Sequence, residues 1–225
     1  SIDVDLVWPR GHDEIVALAQ HNNFLVILGR RSILLYDGAT SPANMTLYDT
    51  LDNVGCIARD SVQNTGADIL FLSQNGVVSL SRIVQEKSVP IRNISSNVRN
   101  GITALASAET GTIKSTYSPT EAFYLVSFPS QDAVYCFDMR GPLEDGAQRA
   151  TLWDSIAPLC FHVNRAGELW IGHPSGISVY STYLDDAASY EMTYYSNPLA
   201  FGSASTLKFI KKLSMTVIGG AGSTI

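Results

Sequence analysis

The chain has 225 residues, with 15 Lys and Arg against 21 Asp and Glu, for a net charge of −6. That balance disfavours a protein built to grip nucleic-acid phosphates, which carries the opposite sign, although an acidic wall beside DNA remains compatible with it. An apolar fraction of 45% against a charged fraction of 16% excludes a disordered chain and leaves ample material for a core.

Taken in chain order, the elements repeat. The apolar run Ile15-Val-Ala-Leu-Ala19 precedes FLVILGRRSILLYDG (24–38), a hairpin pattern in which two apolar strands flank a polar turn, and Met45-Thr-Leu-Tyr48 follows it. The same triplet returns as Gly55-Cys-Ile-Ala58, ILFLSQNGVVSLS (69–81) and Ser81-Arg-Ile-Val84. It returns again as Ile113–Tyr117, FYLVSFPSQDAVYCFD (123–138) and Ala150–Trp153. The last set is Leu159–Val163, LWIGHPSGISVYS (169–181) and Glu191–Tyr195. The second hairpin strands begin near Ile33, Val77, Val134 and Ile177, at spacings of 44, 57 and 43 residues. Four strands per unit at a period of roughly 40–50 residues is the mark of propeller blades. A blade has two faces and a neighbour on each, so its middle strands read almost wholly apolar rather than alternating.

The one long spacing coincides with a change of pattern. In SSNVRNGITALAS (95–107), Val98, Ile102 and Leu105 recur at steps of four and three, which predicts a short helix inserted near 95–107 with Ser95 or Ser96 as its N-cap. The expected fold is therefore all-β: a propeller-like array of about four four-stranded blades with one short inserted helix. This region would span 1–205. Residues 206–225 would form a final strand leaving it, with Lys208, Lys211 and Lys212 on one side and Leu207, Phe209, Ile210 and Leu213 on the other. The absence of an initial Met and the tail GGAGSTI read as the ends of a piece of something longer.

The chemistry-bearing residues give no motif. His12, His21, His162 and His173 have no metal-ligand spacing, and His12-Asp13-Glu14 reads either as a metal site or as a solvated turn. Cys56, Cys136 and Cys160 are odd in number and far apart with no CxxC, which argues against a disulfide framework and a zinc knuckle, and Cys136 and Cys160 sit in apolar strand-like runs that predict buried thiols. There is no GxSxG and no phosphate loop, and Gly219–Ser223 reads as a turn or linker. A propeller glycosidase would need two carboxylates about 5–10 Å apart at the central mouth. Asp37, Asp60, Asp68, Asp138, Glu168 and the Glu144-Asp145 pair are the candidates, but most adjoin Gly, where acids serve turns. No catalytic residue, cofactor or metal is expected. Arg30-Arg31, at the first hairpin tip, would meet a neighbouring subunit or a phosphate, or simply form an exposed turn. No apolar run approaches the ~20 residues of a membrane-spanning helix, so no stable membrane insertion is expected.

Four stretches carry a resemblance: HDEIVALAQHNNFLVILGRRSILLYDG, VGCIARDSVQNTGADILFLSQNGVVSLSR, VYCFDMRGPLEDGAQRATLWD and NPLAFG. Together they resemble the β-propeller portion of the tail nozzle proteins of short-tailed bacteriophages, also called tail tubular protein B, over most of residues 10–220. The resemblance implies a non-catalytic subunit of a homohexameric ring in the virion tail, assembled in the cytoplasm of the bacterial host. Its partners would be tail adaptor proteins, tail fibre proteins and double-stranded DNA passing through without tight binding. An acidic balance suits such a conduit, since each Lys or Arg contact to phosphate adds affinity through counterion release. Subunit contacts would come from loops and tips: Arg30, Arg31, Gly141, Pro142, Glu144 and Asp145. Two other readings stay open on the residues alone, a propeller hydrolase acting on a glycan and a propeller that recognises peptides on one face.

Overall fold

The computed structural model describes residues 7–9, 11–87 and 93–181, with Thr193, Leu207 and Lys212 beyond them. The chain divides into two compact units, Ser1–Tyr180 and Ser181–Ile225, and every element described here belongs to the first. The expected strand at Glu191–Tyr195, the boundary near 205, the Gly219–Ser223 turn and the final element at 206–225 lie outside the described residues, Thr193, Leu207 and Lys212 excepted.

The first unit is a propeller-like array of four antiparallel sheets, each formed from consecutive strands. Sheet one contains β1 (Ile15–His21), β2 (Phe24–Gly29), β3 (Ser32–Asp37) and β4 (Thr46–Asp52), in sequence order. Sheet two contains β5 (Gln63–Asn64), β6 (Ile69–Ser73) and β7 (Gly76–Ser79). Two helices follow it, α1 (Leu80–Glu86) and α2 (Arg99–Ala108). Sheet three is again four-stranded: β8 (Lys114–Ser118), β9 (Phe123–Phe128), β10 (Ala133–Asp138) and β11 (Arg149–Asp154). Sheet four holds β12 (Cys160–Val163), β13 (Leu169–His173) and β14 (Gly176–Tyr180). All four expected hairpins form, each within its own sheet.

The period-two side-chain alternation of strands explains the continuous apolar runs. Val26, Leu28, Ile33 and Leu35 point one way and pack on Ile69, Phe71 and Val78 of sheet two. The opposite face of sheet two, Leu70, Leu72 and Val77, packs on Tyr124, Val126, Phe128, Tyr135 and Phe137 of sheet three. The far face of sheet three, Leu125, Val134 and Cys136, packs on Leu169 and Ile171 of sheet four. The outer face of sheet one, Ile27, Leu34 and Tyr36, is covered by Trp8 with Val7 and Met45. The first strands of successive sheets meet: β12 lies against β8, and β5 against β8. The Asn64 amide also donates to the Gln20 carbonyl at the end of β1 (3.2 Å).

Sheet two departs from the expected pattern at both ends. Residues 55–58, expected as its first strand, are an irregular crossing segment whose backbone bonds go elsewhere: Cys56 N–H donates to Gly29 O (2.8 Å) and Ile57 N–H to Leu72 O (2.9 Å). Their burial, rather than pairing, makes them apolar. Ser81–Val84, expected as its last strand, is helix α1. Ser79 caps it by accepting from Arg82 N–H (3.3 Å), and Asp68 accepts from Ser81 N–H (3.0 Å) and from the Ser79 hydroxyl. Such oxygens satisfy the orphan donors of a helix start.

The inserted helix begins later than expected, with Val98 at its N-cap and no side-chain cap. Ser95 instead accepts from Val77 N–H (2.9 Å), tying the insertion to the second hairpin. A Cβ on Gly76 (φ +100°) would sit 2.3 Å from that Ser95 hydroxyl, so glycine is required there both by space and by backbone. Of the large apolar residues of the middle strands expected in the core, Phe24, Val26, Ile69, Phe71, Tyr124, Val126, Trp170 and Ile171, most are buried, but Phe24 is only partly so and Trp170 is 38% exposed.

Candidate functional site

The first hairpin tip is clamped from two sides. Asp13 accepts from Arg31 N–H and Ser32 N–H (2.9 Å each) through Oδ2, while its Oδ1 accepts from Glu14 N–H (2.8 Å). Arg30 N–H donates to the Glu14 carbonyl (3.0 Å), and the Arg30 guanidinium donates to the Glu14 carboxylate (3.0 Å). From the other side the 55–58 segment presses in so closely that a Cβ on Gly55 would lie 2.2 Å from the Arg30 carbonyl. His12-Asp13-Glu14 thus splits in function: Asp13 and Glu14 fix the tip. Among the described residues no three His, Cys, Asp or Glu side chains form a metal-ligand group.

Clamping the backbone leaves both arginine side chains at the surface. Arg30 and Glu14 border an open cleft of about 720 Å³ that also contains Arg59, Asp60, Gln74 and Glu109. Most of its charges are paired, Arg30 with Glu14 and Asp60 with Arg59 and Lys114, while Glu109 accepts from the Gly111 and Ser130 N–H groups. The hydrogen bond from Lys114, then that from Arg59, holds the Asp60 carboxyl below the usual carboxylate range.

The second candidate, Gly141–Gly146, links β10 to β11. It is a self-bonded turn: Gly146 N–H donates to Leu143 O (2.8 Å), Leu143 N–H to Ala147 O (2.7 Å), and Asp145 accepts from Ala147 N–H (3.0 Å). Arg82 of α1 reaches across to the Gly146 carbonyl (3.2 Å). Pro142, Glu144 and Asp145 are exposed at its tip, and a side chain at Gly141 would meet nothing within 4 Å. In a meander, the turn entering the third strand and the turn leaving it lie at opposite ends. Arg30-Arg31 and Gly141–Gly146 therefore sit at opposite ends of different sheets and form no common patch.

Five of the acids considered for glycan hydrolysis, Asp60 among them, have local partners, and in the exposed Glu144-Asp145 pair Asp145 accepts from Ala147 N–H. Asp37 accepts from Gly38 N–H (2.6 Å) and Asp68 caps α1. Asp138 binds Arg140 through two bonds of 2.8 Å each, which lowers its pKa. Glu168 accepts from Asn164 (2.6 Å) and from the Trp170 indole (3.4 Å). Of the two thiols expected to be buried in apolar strands, Cys136 is, but Cys160 is exposed because β12 is a first strand whose Cys160 side is uncovered among the described residues; Cys56 is buried as well. Burial pushes Cys136 up to about 12, away from thiolate chemistry. Not signalled by any motif are two links from sheet three to the 59–61 turn that leads into sheet two: the buried Tyr124 hydroxyl donates to Ser61 O (2.6 Å), and the half-buried Ser115 hydroxyl to Asp60 O (2.7 Å).

No family model and no curated protein matches the chain. Among solved structures it is similar to the computationally designed Ika4 protein, at 13% identity and a TM-score of 0.44, over 76% of this chain and 92% of that one.

Proposed function

We propose that the protein is a structural subunit of the tail nozzle of a short-tailed bacteriophage, one of six copies in a ring around the path of double-stranded DNA. The observation that carries the reading is the resemblance of the stretches 12–38, 54–82 and 134–154 to that family. Three further features support it. The net charge of −6 suits a wall that must not hold phosphates. Asp37, Asp60, Asp68, Asp138 and Glu168 are each engaged by turn amides, caps or cations, an arrangement that serves structure. Arg30 and Arg31 project from a backbone fixed by Asp13 and Gly55, and a rigid mount is what a subunit contact needs.

In this reading Arg30, Arg31 and the exposed 141–146 turn are the candidate contacts with neighbouring copies, and the subunit turns over no substrate. The test is the double substitution Arg30→Glu, Arg31→Glu. Native mass measurement should show loss of the six-copy species with the monomer still folded. Unchanged rings would remove these residues from the interface, and a monomer that cleaves a glycan would replace the reading altogether.

A further inference from the structure

The chain has two Asn-Gly pairs, Asn75-Gly76 and Asn100-Gly101. In such a pair the backbone can attack its own side chain. Glycine has no Cβ to shield its nitrogen or to restrict the dihedrals that ring closure needs. The glycine nitrogen, once deprotonated, adds to the Asn Cγ; the Cγ–Nδ2 bond breaks and ammonia leaves. Water then opens the succinimide at either carbonyl. One opening gives Asp, and the other gives isoaspartate, with the Asn Cβ drawn into the main chain. Water is the only co-reactant, and each event turns a neutral amide into a carboxylate.

The fold treats the two pairs differently. Asn100 and Gly101 lie in the first turn of α2. Across them Ile102 N–H donates to Val98 O (3.0 Å), so the rotation that brings the Asn100 Cγ onto Gly101 N breaks the helix start. A Cβ on Gly101 would lie 2.3 Å from the Tyr135 hydroxyl, which leaves this backbone no room to move. Asn75 instead sits in the tip of the second hairpin, outside the terminal Ser73–Gly76 pair. It is exposed, and its side-chain amide has no partner among the described residues. Beside it, Ser73 and Gln74 line the open cleft next to Arg30, which gives water access.

A fixed donor favours the attack at Asn75. Deprotonating Gly76 N shifts negative charge onto the Asn75 carbonyl oxygen, because nitrogen and oxygen share one conjugated amide. That oxygen accepts from Asn93 Nδ2 (2.8 Å), and Asn93 is 1% exposed. A buried donor aimed at developing charge acts as an oxyanion-hole donor does. Asn100 O has only the Thr103 hydroxyl, at 3.3 Å and shared with Arg99 O at 2.8 Å. We infer that Asn75-Gly76 is a self-modifying site of the native fold, converted to Asp and isoaspartate with Asn93 as the assisting donor. The isoaspartyl product does not fit the tip. Gly76 is pressed against Ser95, whose hydroxyl accepts from Val77 N–H (2.9 Å) and ties the α2 insertion to sheet two. An extra main-chain atom at residue 75 displaces that contact and loosens the insertion.

The test holds the 225-residue chain at mildly alkaline pH and digests samples over time. Mass spectrometry then locates each gain of about one dalton, the difference between amide and carboxyl. In the folded protein Asn75 should convert about tenfold or more faster than Asn100, and in urea the two rates should come within about threefold. Asn75→Gln, whose longer side chain closes the ring far less readily, should abolish the gain at that site. Asn93→Leu should slow it about threefold or more, whereas Ser95→Ala, which loosens the same segment but keeps the donor, should not. The isoaspartyl fraction should melt below the unmodified protein. No gain at Asn75, equal rates at the two sites in the folded protein, or a tenfold ratio that persists in urea overturns the inference. Undiminished conversion in Asn93→Leu overturns the role of Asn93. An isoaspartyl fraction that melts with the unmodified protein overturns the link to the insertion.

Discussion

Phe71→Ala asks whether sheets one and two share a core. Phe71 lies in β6, fully buried, in one cluster with Val26, Leu28, Ile33 and Leu35 of sheet one and Leu80 and Ile83 of α1. Removing the ring forfeits the transfer free energy of a buried aromatic, about 2–3 kcal/mol. It also leaves a void of up to about 100 Å³ at ~24 cal/mol per Å³, another ~2 kcal/mol where the walls do not relax. Two sheets in register and a capped helix surround the site, so relaxation is limited and a loss of about 3–5 kcal/mol is expected. Equilibrium urea unfolding of the isolated subunit measures it, at protein concentrations low enough to prevent self-association from masking the loss. The denaturant slope should be unchanged, since the surface exposed on unfolding is the same. A loss below about 1 kcal/mol would refute the face-to-face packing of these sheets, because a ring between two covered surfaces cannot be removed so cheaply.

Gly55→Ala should destabilise by about 1–3 kcal/mol, because its Cβ meets Arg30 and Arg31 backbone atoms at 2.2–2.4 Å; Gly141→Ala, in open space, should be near neutral, and thermal unfolding of the pair distinguishes them. The lowered Asp60 carboxyl contributes stability that is present above the ordinary carboxylate pKa and is lost as pH falls from there through the folded value. Lys114→Met should therefore lower the plateau of a stability–pH profile above about pH 4 and leave its most acid values nearly unchanged, so that the acid limb flattens. Ser79→Ala should cost about 1 kcal/mol through the cap of α1, readable as a lowered unfolding midpoint.

The hairpins were legible because nothing competes with their signal. ILFLSQNGVVSLS can satisfy its backbone and bury both faces only as paired strands between two other sheets. The ends of sheet two were harder to read. Cys56 and Ile57 have the apolar character of a strand but are buried as a crossing segment, and the partner that settles this, Gly29, is 27 residues away in sequence. Helix α1 was signalled by Leu80, Ile83 and Val84 at helical spacing behind a capping serine, but Ser81-Arg-Ile-Val84 fits the strand repeat equally well. What decides is Asp68, reaching Ser79 and Ser81 across the hairpin. The candidate contact residues were legible as turns. The rigidity of the Arg30-Arg31 mount was not, since it depends on Asp13 and Gly55 arriving from two other parts of the chain.

In the proposed nozzle, six copies surround a passage for DNA. Electron microscopy of the intact protein, with its mass measured in solution, addresses it directly. Particles with six-fold symmetry and an open centre, lost on Arg30→Glu, Arg31→Glu substitution, are expected. Monomers or dimers at every concentration, with glycan-cleaving activity, would contradict it.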